Sequence, residues 1–267
     1  MANEAENGKG GGEKGPSGGA GVMPVLYHRI EALHPSTHGR LAIRKVIGPY
    51  SFAAEAHAIP VTAQEFPFLL KTFPIVFSGG EQPLPLAVLG LRQGENLFVD
   101  EDGDWAEGIY IPAYIRRYPF LFATDEKAER YTLAIDTSSA LVGTDGENKL
   151  FEGEEPTDYL KQILEFCQHF QRQHMQTRML GELLRTHELL KPREVQITLP
   201  SGEVQTLGRH VGVDQQALDA LSDTAFLELR SKGALPWIYF HLASSVNWER
   251  LMARHQTRLA ASVLPEG

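Results

Sequence analysis

The chain has 267 residues, of which 42% are hydrophobic and 22% charged, and a formal net charge of −9. This is an ordinary globular composition, and its acidic balance argues against non-specific nucleic-acid binding, which needs cations to neutralise phosphates. It likewise gives no help in binding anionic lipid surfaces.

Residues 1–22 are Gly-rich and, apart from Met1, hold no aromatic residue and no aliphatic larger than Val22. Such a segment cannot bury enough apolar surface to offset its ordering entropy, so it is expected to be a disordered tail. One domain over residues 23–260 should follow, with a short C-terminal tail at 261–267. No apolar run of about 18 residues suggests a membrane span. No cationic start with an apolar stretch suggests a signal peptide. The expected location is the cytoplasm, with export by a route that needs no N-terminal signal as the alternative. The single cysteine, Cys167, excludes an intrachain disulfide and should be inert core on a helix face.

In chain order, Thr62 and Glu65 fit a capping box, and Val61 and Phe66 a hydrophobic staple. A short helix is predicted near Ala63, kept short or kinked by Pro67. Phe73–Phe77 reads as a buried strand and Pro85–Leu91 as the next. After a Gln93-Gly94 turn, Asn96–Val99 is predicted to return, with a second tight turn at Asp102-Gly103. Pro112 can open a short helix that puts Tyr114 and Tyr118 on one face. Tyr131–Ile135 is another strand. Thr157 is a predicted N-cap of one long helix, or two in series. Leu160, Ile163, Leu164, Cys167, Met179, Leu180, Leu183 and His187 follow its apolar spacing, and Lys191-Pro192 closes it. Val195–Leu199 and Val204–Leu207 form a hairpin around Pro200-Ser-Gly202, which needs other strands or a helical face to be stable. Asp214 and Ser222 cap two short helices, and Gly233 is a C′ residue. A last helix runs from about Pro236 to Leu259 with Ile238, Leu242, Val246 and Met252 along its stripe. Strands followed by helices with one inserted hairpin give an α+β fold with a largely antiparallel sheet.

Four patches carry a resemblance: Phe73-Pro-Ile-Val-Phe77, Leu89–Phe98 (LGLRQGENLF), Tyr110–Phe120 (YIPAYIRRYPF) and Leu227–Leu242 (LELRSKGALPWIYFHL). Taken in this order they resemble the SapC family of bacterial proteins, over roughly Met23 to Leu259. By its name the family implies a link to surface layers, and it brings no catalytic motif to carry over. Without a signal peptide, an intracellular accessory role for surface components suits the sequence better than a lattice subunit.

The candidate site is the cluster of Trp105, Tyr110, Tyr114, Arg116, Arg117 and Tyr118, with Glu95 and Asn96 from the Gly94 turn. Guanidinium groups clamp carboxylates or phosphates, and aromatic rings stack on a ligand or partner. The competing reading is a structural corner, with the arginines paired to Asp100, Asp102 or Glu107 and the rings in the core. Glu95 and Asn96 could equally serve turn backbone groups. The acidic run Asp100–Asp104 fails the calcium-loop spacing, with Trp105 at position 6 and Ile111 at position 12. Ten histidines show no H-E-x-x-H. His241, inside an apolar run, is expected to be a hydrogen-bonded core residue, and no metal or cofactor is expected. Gly15-Pro-Ser-Gly-Gly19, and Gly10, Gly12 and Gly15, match catalytic and dinucleotide motifs by letters alone, without a flanking strand or helix.

The first reading is a non-catalytic accessory protein with a protein partner, such as a cell-envelope component. The second is an enzyme or small-molecule binder using the cluster as an anion clamp, with Glu95 or Asp104 as proton acceptor. The third is an exported surface-layer component. A deep pocket converging on Arg116 would favour the second, and a flat exposed aromatic patch the first.

Overall fold

A computed structural model describes residues 23–125, 130–198 and 204–263. The expectations for residues 1–22 and 264–267 and for the Pro200-Ser-Gly202 turn lie outside the described residues. In chain order the chain forms β1 (Ile30–Ala32), the one-turn helix α1 (Pro35–His38), β2 (Ala42–Ile43) and β3 (Ala58–Pro60). A 3₁₀ turn (Ala63–Glu65) leads into α2 (Phe66–Leu69), followed by β4 (Ile75–Phe77), β5 (Pro85–Val88) and α3 (Ala113–Arg116). Then come β6 (Phe120–Asp125), β7 (Arg130–Asp136), β8 (Val142–Gly143), β9 (Asn148–Lys149), β10 (Phe151–Glu152) and β11 (Glu155–Pro156). The long helix α4 (Asp158–Thr186) separates these from β12 (Leu190–Thr198) and β13 (Val204–Val213). Four helices close the chain: α5 (Gln215–Asp219), α6 (Asp223–Ser231), α7 (Leu235–Ala243) and α8 (Asn247–Val263).

The fold is α+β. The largest sheet has the order β12-β13-β4-β5-β3, and a second has β1-β7-β6. Every strand pair in both is antiparallel. All three residues of β4 are buried, as a central strand requires. The main core gathers Phe66, Phe73, Leu89, Phe98, Ile115 and Leu184, all but fully buried. Each such side chain contributes about 1.5–3 kcal/mol by leaving water. A second core, with Phe120, Ile135, Leu150, Phe151, Leu160 and Cys167, lies under the first half of α4.

Local signals explain much of this. Thr157 caps α4 by accepting from Leu160 N at 3.3 Å. Asp214 and Ser222 cap α5 and α6 in the same way. Gly233, at φ +68°, ends α6, and Ala234 N reaches back to Leu229 O, satisfying a terminal carbonyl. The inserted hairpin docks on the main sheet through Val211 of β13 opposite Phe77 of β4. At Gly181, α4 passes so close to Pro83 that a Cβ would lie 2.0 Å from the carbonyl oxygen. Only glycine fits that crossing.

Four expectations need correction. Asn96–Val99 does not return as a strand: β5 is already bonded on both sides, to β3 and β4. Only an isolated bridge, Val99 to Trp105, remains there. Lys191-Pro192 does not close the long helix, which stops at Thr186; Pro192 instead lies in β12, an edge strand that has a side without ladder bonds to tolerate it. The predicted last helix is two helices, broken at Ser244–Val246. There Ser244 Oγ accepts from Ile75 N at 2.9 Å, and Asn247 Nδ2 donates to Leu70 O and Phe73 O at 2.7 and 3.1 Å. Those bonds satisfy the buried backbone between α2 and β4, and they displace Val246 from the stripe into solvent. Finally, α8 runs on to Val263, through the first residues of the expected C-terminal tail.

Candidate functional site

The Tyr/Arg segment is organised by a residue outside it, Glu65. Glu65 is buried, 4% exposed as a residue. Oε2 accepts from Thr62 N at 2.9 Å and Thr62 Oγ1 at 3.0 Å, which is the glutamate half of the capping box. Oε1 accepts from Ala113 N at 2.7 Å and Tyr110 Oη at 3.1 Å. One carboxylate therefore caps the starts of two helical segments, the 3₁₀ turn at Ala63 and α3 at Ala113. Thr177 Oγ1, accepting from Ala63 N at 2.9 Å, fixes the same turn to α4.

The two arginines of α3 part company. Arg116 is exposed. Its Nε donates to Ile111 O at 2.9 Å and its Nη2 to Tyr110 Oη at 3.1 Å. The guanidinium lies over the rings of Tyr110 (5.6 Å) and Phe166 (5.2 Å). Tyr110 in turn stacks on Phe68, which is 51% exposed, with ring centroids 5.2 Å apart. Burial and the neighbouring Glu65 push the Tyr110 hydroxyl up to about 12, so it stays protonated and can donate to Glu65.

Arg117 points inward. Its guanidinium lies 4.4 Å from both the Tyr114 and Phe170 rings and 5.7 Å from that of Tyr27. It faces the hydroxyls of Tyr27 and Tyr114, whose pKa values burial raises. Those hydroxyls donate onward to Phe120 O and Val25 O. Among the described residues neither arginine is in a salt bridge, so the expected pairing with Asp100, Asp102 or Glu107 does not occur.

The other candidates are structural in their surroundings. Tyr118 is buried, stacked on Phe52 at 4.0 Å, and turned toward Asp136 at 3.5 Å. It lies beyond α3, which ends at Arg116, so the expected i, i+4 pair on one helical face does not form, although Tyr114 and Tyr118 both pack edge-on against Tyr27. Asp136 is fully buried. Burial alone would raise its pKa, but donors from Ser138 and the amides of His28 and Arg29 outweigh it and hold the carboxyl below its usual value. Trp105 stacks on Phe98 at 6.0 Å, in the main core and apart from the arginines.

Glu95 and Asn96 belong to a separate arrangement with α8. Glu95 Oε1 lies 2.9 Å from His255 Nδ1, and its Oε2 accepts from Leu91 N. Asn96 is fully buried, donating to Ala53 O and accepting from Phe98 N. Arg258 donates to Asn96 O and Val99 O, both at 2.7 Å. These bonds hold the loop to α8, so Glu95 is not placed to serve Arg116. Asp104 is likewise engaged in its own turn, its amide donating to Asp100 Oδ1.

The remaining sequence candidates are inert. Cys167 is buried, and burial pushes its thiol up to about 11. His241 accepts from Val213 N at 3.0 Å in the core, as expected, and burial lowers its pKa to about 4. Among the described residues, no group of three His, Cys, Asp or Glu could hold a metal ion. No helix among them is long and apolar enough to cross a membrane.

Two surface concavities are lined by other residues. One, of about 520 Å³, lies between the β6–β7 hairpin and α4, against Phe122, Tyr131 and Met175. The other, of about 700 Å³, lies between α4 and the α6–α7 turn, against Met179, Leu183 and Trp237. Met179 is 62% exposed, so it departs from the apolar stripe predicted for it. Sequence reasoning missed Glu65, Phe68, Phe166 and Asp136 as neighbours of the cluster. The capping box was the one local signal that pointed at Glu65, and its second oxygen had no signal.

The family model described as SapC matches residues 33–251. Neither the curated proteins nor the solved structures contain a match to the chain.

Proposed function

The chain belongs to the SapC family, and we propose that it is a non-catalytic accessory protein acting through protein contact at the surface of Phe68, Tyr110 and Arg116. One observation carries the reading. Arg116 is an exposed cation held rigid over two aromatic rings, without a carboxylate among the described residues, beside an exposed Phe68. Arginine and aromatic residues dominate interface hot spots, and a side chain already fixed loses little entropy on binding. Arg116 lines neither of the two concavities described above. The family's name makes a surface-layer or other cell-envelope component the partner to look for, met inside the cell.

The test is affinity purification of the tagged protein from its native cells, with mass spectrometry, beside Arg116→Ala and Phe68→Ala. Both side chains are exposed, so both variants should fold. A reproducible partner lost in both supports the reading. A partner retained by both, or recovery of the protein alone or with a small molecule, refutes it.

A further inference from the structure

We propose that this contact surface continues along α4 into the 700 Å³ groove, and that it takes an extended peptide segment of the partner. A carboxylate of the peptide sits on Arg116 and a large apolar side chain enters the groove. The inference rests on the contact reading above and specifies what is bound.

Continuity comes from the helix. Phe166, Gln173, Gln176 and Leu183 are seven, three and seven residues apart, so they line one flank of α4. Phe166 meets Arg116, Gln173 Oε1 accepts from Thr62 Oγ1 at 3.4 Å, and Gln176 Oε1 accepts from Gln64 Nε2 at 2.5 Å. Leu183 lines the groove. At about 1.5 Å per residue the flank is about 26 Å long. An extended chain covers that in about eight residues, too long a reach for a small molecule.

The chemistry along the flank names the occupant. Arg116 is a cation without a carboxylate partner among the described residues, on a chain whose net charge is −9, so an acid is what complements it. The far rim carries Glu182, Glu228 and Lys232, a mixture that does not compete as an acid seat. Met179, with its adaptable thioether, and Leu183 and Trp237 offer the apolar seat.

The experiment is to pan a displayed library of random 12-residue peptides against the full chain. Enriched peptides should carry an acidic residue and a Trp, Phe, Leu or Met about six to eight positions apart, matching the flank's length. Arg116→Ala should weaken a selected synthetic peptide about tenfold or more and abolish the acid preference. Met179→Asp, at an exposed position, should weaken it comparably and abolish the apolar preference. No enrichment, or loss through only one of the two variants, overturns the continuous track. Failure is separable from failure of the contact reading. If Arg116→Ala loses the cellular partner while Met179→Asp keeps it, the contact stands and the peptide track falls.

Discussion

Glu65→Gln tests the organisation of the site most sharply. The carboxylate accepts four hydrogen bonds, two at each oxygen, and each oxygen receives one backbone amide: Ala113 N at Oε1 and Thr62 N at Oε2. Glutamine keeps one oxygen and replaces the other by NH₂. Whichever way the amide turns, its NH₂ meets a backbone N–H, which cannot accept. One buried amide is therefore orphaned in either orientation, at a cost of about 1–3 kcal/mol. For a domain of this size each kcal/mol lowers Tm by about 2–4 °C, so the melting temperature should fall by about 4–8 °C at the centre of that range. Glu65→Ala leaves all four donors without their acceptor and should cost about 3–5 kcal/mol, more than Glu65→Gln because several buried donors lose a partner at once. The assay is thermal and urea unfolding followed by circular dichroism. A Glu65→Gln variant that melts within about 1 °C of wild type would refute the claim that both oxygens are committed.

Two further predictions concern charges. Arg117→Ala should cost about 2 kcal/mol by emptying the box of Tyr27, Tyr114 and Phe170, whereas Arg116→Ala should stay within about 0.5 kcal/mol. Equal urea midpoints for the two variants would contradict the inward and outward assignment. His241 is neutral in the fold, with a pKa of about 4 against 6.5 unfolded, because burial disfavours its charge. The unfolded chain therefore binds the proton first, and stability should fall as pH drops from about 6.5 to about 4, by up to about 3 kcal/mol. His174 and His210, also lowered by burial, act in the same direction. Urea midpoints at pH 7 and pH 4.5 should converge in His241→Gln relative to wild type, and an unchanged pH dependence would remove His241 from the account.

Much of the fold was legible because its signals are local. Thr157, Asp214 and Ser222 announce helix starts through side chains that reach amides two or three residues ahead. The run from Phe73 to Phe77 needs only its own apolarity to read as a buried strand. The errors fall where a distant partner overrides the local preference. Asn96–Val99 has strand-like composition, but β3 and β4 already occupy both sides of β5. Residues 236–259 have helical composition throughout, yet Ser244 and Asn247 are drawn out of line by backbone groups at Ile75, Leu70 and Phe73.

The sequence by itself determined the α+β class, the caps, the family and the presence of a Tyr/Arg-rich segment worth testing. Only the tertiary structure divided that segment. It turned Arg117 into an aromatic box and Arg116 onto the surface, sent Trp105 to the core, and tied Glu95 to His255. The physical reason is range. Helix caps and strand runs are decided by neighbours a few residues away. The direction of an arginine is decided by which rings and backbone carbonyls the fold brings beside it, and such partners can lie far along the chain: Arg117 meets the ring of Phe170, and Arg258 reaches Asn96 O across 162 residues.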